Sequence, residues 1–80
     1  MLYLRKKEIK DGIVYYYYPP EGKGEWGLVY IVIASGKLGW KYIAENDKAD
    51  SYYYRFHAYT RIKKYVKENN FPEKDLVAWG

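Results

Sequence analysis

One histidine, His57, two serines, Ser35 and Ser51, and a carboxylate cluster of Glu45, Asp47 and Asp50 are the side chains whose types could support catalysis or hold a metal. General acid–base or nucleophilic work needs a proton carrier within hydrogen-bond reach of a nucleophile and of a group that orients it. Ser35 falls in a turn, and Ser51 precedes His57 at a spacing that puts it off the helix face His57 would occupy. No such constellation can be assembled, so the chain reads as a non-enzyme. The three carboxylates do not follow the spacing of a calcium loop, and helix capping accounts for Asp47 and Asp50, so neither a metal nor another cofactor is expected. Gly22-Lys23-Gly24-Glu25-Trp26-Gly27-Leu28-Val29 spells the glycine pattern of a phosphate-covering loop. That chemistry needs a helix start after the glycines, or a downstream catalytic loop with a metal-binding Asp-Phe-Gly, and neither follows. The segment reads as a glycine-rich hairpin loop.

What the chain holds in quantity is tyrosine, 12 of its 80 residues, partly in the runs Tyr15 to Tyr18 and Tyr52 to Tyr54. Successive strand residues point to opposite faces, so Tyr15 and Tyr17 would lie on one side of a sheet and Tyr16 and Tyr18 on the other. One small core cannot bury both. Tyr15, Tyr16, Tyr17, Tyr18, Trp40 and Tyr42 are therefore the candidate binding surface, with the exposed side left open. Two partners suit such a surface. One is a second copy of the chain or another protein, since Tyr and Trp dominate interface hot spots; the expected function is a protein-interaction module, with a homodimer favoured. The other is single-stranded nucleic acid stacked on the rings. The net charge is +4, and residues 51 to 70 carry Arg55, Arg61, Lys63, Lys64 and Lys67 against Glu68 alone. On a helix, His57, Arg61, Lys64 and Lys67 form a candidate basic stripe, which would lie across the sheet from the tyrosine platform.

These side chains need elements to position them. Leu2 to Ile9 reads as a strand, turned by Asp11-Gly12, a pair that tolerates positive φ, into a second strand from Ile13 to Tyr18. Pro19-Pro20 and the glycines that follow form a loop, Trp26 to Ala34 a third strand apolar on both faces, and Leu38 to Ile43 a fourth. A helix follows Asn46-Asp47 and ends near Asn69-Asn70, ahead of Phe71-Pro72. At 100° per residue Tyr52, Phe56, Tyr59, Ile62 and Val66 share its apolar arc, and His57, Thr60, Arg61, Lys64 and Glu68 the polar one. Arg55 falls among the apolar positions, where it would run its stem along the core with the head in water, or stack on Tyr52 or Tyr59. Leu76 to Trp79 would return as a short strand or docked tail. The expected architecture is α+β: a four-stranded antiparallel meander, one helix on a face, and a possible fifth strand, in a single domain over residues 1–80.

With 49% hydrophobic and 30% charged residues and no cysteine, stability must come from packing or self-association. Charge arrives already at Arg5, and no apolar run approaches membrane-spanning length, so cytoplasmic residence is expected.

His57-Ala58-Tyr59-Thr60-Arg61-Ile62, then Phe71-Pro72-Glu73 and Val77-Ala78-Trp79, resemble a pattern in short uncharacterised bacterial proteins with an H-A-x-x-R-[IL] helix and an F-P-E…V-A-W ending. The resemblance covers about the last third of the chain and implies no activity. In topology alone, four strands followed by a helix are similar to the dimeric single-strand-binding domains of a transcription coactivator family.

Overall fold

Asp11 and Gly12 both adopt positive φ, 53° and 76°, as a tight hairpin between two right-twisted strands requires. They join β1 (Leu2–Lys10) to β2 (Ile13–Tyr18). The computed structural model describes residues 2–20, 23–45 and 53–77. Within them β2 continues to β3 (Gly27–Val32) and β4 (Leu38–Tyr42), each antiparallel to the strand before it. The helix α1 (Tyr53–Glu68) then crosses the sheet, and β5 (Lys74–Val77) pairs antiparallel with β1, Leu2 opposite Val77. The sheet order is β4-β3-β2-β1-β5. This is the expected α+β meander, with the fifth strand present.

Helix α1 ends at Asn69, whose φ of 51° turns the chain while Asn70 N–H donates to Tyr65 O at 3.0 Å and Asn69 N–H to Val66 O at 3.2 Å. These two bonds satisfy carbonyls the last turn leaves open. The core lies between the helix and one sheet face. Leu2 and Leu4 of β1, Val14, Tyr16 and Tyr18 of β2, and Val29 and Ile31 of β3 are buried against Ala58, Ile62 and Tyr65.

The buried stripe of the helix is rotated from the one its periodicity suggested. Arg55, Ala58, Ile62 and Tyr65 face inward, whereas Phe56 is 56% exposed. Small Ala58 lets the helix approach the sheet closely, which carries Phe56 outward. Arg55 does not send its head into water: it is 1% exposed, and its guanidinium lies 4.7 Å from the Trp40 ring centroid. The proposed caps Asp47 and Asp50, the Tyr52 contact and the docking of Trp79 lie outside the described residues.

β5 starts two residues earlier than expected because side chains on the helix hold its first turn. The Tyr65 hydroxyl donates to Asp75 Oδ2, and Arg61 Nη1 reaches the same oxygen at 3.3 Å. The Tyr16 hydroxyl donates to Pro72 O at 2.6 Å, and Lys6 Nζ donates to Phe71 O at 3.1 Å while pairing with Glu73. Burial, reinforced by the Asp75 hydrogen bond, pushes the Tyr65 hydroxyl well above the ordinary tyrosine value of 10.0, and burial does the same for Tyr16.

Two predictions follow from this latch. Removing the acceptor with Asp75→Ala should cost on the order of 1 to 3 kcal/mol, because Tyr65 and Arg61 then lose a partner in a partly desolvated site; thermal melting should show the loss as a drop of several degrees. For pH, both hydroxyls have folded pKa values above their unfolded one, so the stability they contribute is complete below about pH 10 and falls as pH rises further. Tyrosinate absorbance followed during alkaline titration should show buried hydroxyls ionising only as the chain unfolds; ionisation complete in the folded state would contradict this.

Candidate tyrosine-lined sheet face

Strand alternation and the placement of α1 divide the tyrosines of β2. Tyr16 and Tyr18 point under α1 and are 0% exposed, so they belong to the core and not to the candidate surface. Tyr15 and Tyr17 point to the face the helix leaves open. Trp40 is also removed from that surface: it pairs with Val29 on the helix side of the edge strand, where it lines a groove with Leu38, Arg55 and Phe56. Tyr42, displaced by the register shift between Leu28 and Val29, stands on the open face opposite Leu28.

The register adds residues that composition did not single out. Tyr30 is paired with Tyr15, and their ring centroids lie 6.0 Å apart. Tyr3 and Leu76 face each other across the β1–β5 ladder and are both exposed. Three of these rings have a close neighbour. Tyr30 lies against Gly39, where any β-carbon would run into its ring, so the glycine is a seat for the tyrosine. The hydroxyls of Tyr17 and Tyr42 lie near one another. They flank Leu28, which is only 4% exposed although it sits on the open side. Partial burial, then Tyr17, raises the Tyr42 pKa. Rings held down on the backbone in this way form a broad aromatic floor.

Charge converges on the same face. Arg5 of β1 is opposite Tyr17 in β2 and opposite Lys74 in β5, and Lys10 is opposite Ile13. A β-bulge between Lys6 and Glu8 inserts Lys7, so Lys7 and Glu8 both reach the open side, where they line a hollow with Lys10, Tyr15, Leu28, Lys41 and Tyr42. Arg5, Lys7 and Tyr17 line a neighbouring hollow with Trp26. Arg5, Lys7, Lys10, Lys41 and Lys74 thus surround the tyrosines, countered by Glu8, which pairs with Lys7 at 3.0 Å, and by Glu25 beside Tyr42. Lys7 is raised in pKa by this bond to Glu8.

The helix stripe is weaker than its sequence suggested. Arg61 is held by Asp75, and His57 is half-buried with its ring edge-on to Phe56 at 5.7 Å. Lys64 and Lys67 are exposed. The glycine-rich segment also has a packing role. Gly27 passes beneath the Tyr18 ring, where a β-carbon would collide with it, and Ala44 N–H donates to the Tyr18 hydroxyl at 2.9 Å. Gly22 lies outside the described residues.

Of the missed surface residues, Tyr3 and Arg5 were readable from alternation along β1. Glu8 was not, because a bulge changes which side the later residues face. No protein-family model, curated protein or solved structure matches this chain.

The seat under Tyr30 gives a direct check. Gly39→Ala should displace that ring, lowering the melting temperature by several degrees and changing the near-ultraviolet circular dichroism of the tyrosines; an unchanged spectrum and melting point would show that the ring is not held there.

Proposed function

We propose that this chain binds single-stranded nucleic acid on the open, tyrosine-lined face of its sheet. The observation that carries the reading is that rings and cations share one face: Tyr15, Tyr17, Tyr30 and Tyr42 are bordered by Arg5, Lys7, Lys10, Lys41 and Lys74. Unstacked bases need flat aromatic surface and the backbone needs positive charge alongside, and stacking contributes roughly 1 to 3 kcal/mol per base. The expected conflict between a basic helix and a platform behind it does not arise, because the cations that matter are on the strands.

The same charge disfavours pairing this face with a second copy. A two-fold contact would bring two sets of these cations together across a surface that excludes water, and like charges there repel more strongly than in solvent. Protein association through the tyrosines would instead call for an acidic partner.

Fluorescence anisotropy with a labelled oligothymidylate of about a dozen nucleotides tests the proposal. Binding should weaken with salt along a log–log slope no steeper than about −3.5, the value for five phosphate contacts to a single strand. Tyr17→Ala and Tyr42→Ala, each checked for fold by circular dichroism, should weaken binding about 5- to 100-fold, whereas Lys64→Ala with Lys67→Ala on the helix should change it by less than about twofold. No binding at low salt, or binding indifferent to both tyrosines, overturns the proposal. Light scattering on the free 9.6 kDa chain distinguishes the alternative: a dimer abolished by Tyr17→Ala would assign the face to self-association.

A further inference from the structure

Resting on the nucleic-acid reading above, we propose that the hollow above Leu28 takes a single base and favours guanine. Its floor is the nearly covered Leu28, Tyr15 and Tyr42 line its sides, and Lys7, Lys10 and Lys41 stand around it. Its volume, about 470 Å³, lies in the range of small-ligand sites. The unexpected member is Glu8. A carboxylate works against phosphate binding, yet this one lines a hollow in which every other charged group is a cation.

An ionised carboxylate only accepts hydrogen bonds, and its two oxygens together offer about four lone-pair directions. Lys7 occupies one of them at Oε2, at 3.0 Å, so both oxygens remain able to accept from a ligand. A base lodged in this hollow against a tyrosine ring loses water from its edge and must have its donors met by protein. Guanine presents N1–H and the N2 amino group side by side, which matches the two oxygens of a carboxylate as a parallel pair of charge-assisted bonds. Adenine and cytosine each offer one amino group beside a ring acceptor that the carboxylate repels. Thymine and uracil offer one N–H between two carbonyls. The β-bulge is what delivers this discrimination, because regular alternation through Lys7 would turn Glu8 to the helix side.

The test compares wild-type affinity for the labelled oligothymidylate with affinity for the same oligomer carrying one central guanine, adenine or cytosine. Guanine should tighten binding about 5- to 100-fold, and adenine and cytosine by much less. Glu8→Gln should abolish the guanine preference while binding oligothymidylate at least as tightly, since an anion has left the path of the phosphates. Glu8 is paired only with exposed Lys7 among the described residues, so this change should leave the fold intact. Equal wild-type affinity for the thymine and guanine oligomers, or a guanine preference that survives Glu8→Gln, overturns the subsite and leaves the stacking face standing. If the oligothymidylate fails to bind at all, the face and the subsite both fall.

Discussion

Two buried hydroxyls of one strand fasten both approaches to the helix. Tyr18 accepts from Ala44 N–H ahead of α1, and Tyr16 donates to Pro72 O beyond it, while the Tyr16 ring packs 5.2 Å from Tyr65 on the helix itself. A buried hydroxyl must find a partner or leave an unmet polar group in the core, so these bonds constrain where each connection can run. The rest of the molecule follows from that arrangement. With the even-numbered tyrosines committed beneath the helix, the odd-numbered ones have to face away from it, on the side that α1 does not cover.

The core therefore uses tyrosine where a larger protein would use leucine or phenylalanine. A tyrosine ring fills the sheet–helix interface as well as an apolar side chain and keeps one polar atom with which to hold a loop. The same residue type on the other side of β2 is tolerated next to water for the same reason. Tyr30 on Gly39, and Tyr17 with Tyr42 over Leu28, show the open face to be organised and not merely uncovered. Such organisation lowers the entropy a ligand would have to remove on binding.

Charge is distributed to match. Cations at the helix surface are partly neutralised, as Arg61 is by Asp75, or exposed to solvent, as Lys64 and Lys67 are. Those on β1, β4 and β5 lie beside aromatic surface, where the dielectric is lower than in bulk water and a phosphate would be attracted more strongly. The bulge in β1 adds one cation and one carboxylate to this set, placing a hydrogen-bond acceptor among the cations of the hollow.

Local chemistry determined much of the fold in advance. The Asp11-Gly12 turn, the period-two strands, the helix before Asn69-Asn70 and the α+β order depend on interactions within a few residues of one another, and they were legible. The tyrosine run was legible too as a division into two faces, but not as to which face stays open. That choice rests on where the helix lands, set by long-range contacts such as Tyr16 with Tyr65 and Ile62 with the strands. The helix stripe was misjudged for a related reason: hydrophobicity favoured Phe56 over Arg55, and tertiary packing, the Trp40 ring included, gives the arginine a buried site. The convergence of Arg5, Lys7, Lys41 and Lys74 on the tyrosines joins strands far apart in the chain. Two register shifts then bring Glu8, Lys10 and Tyr42 to the same side, which the residue order does not reveal.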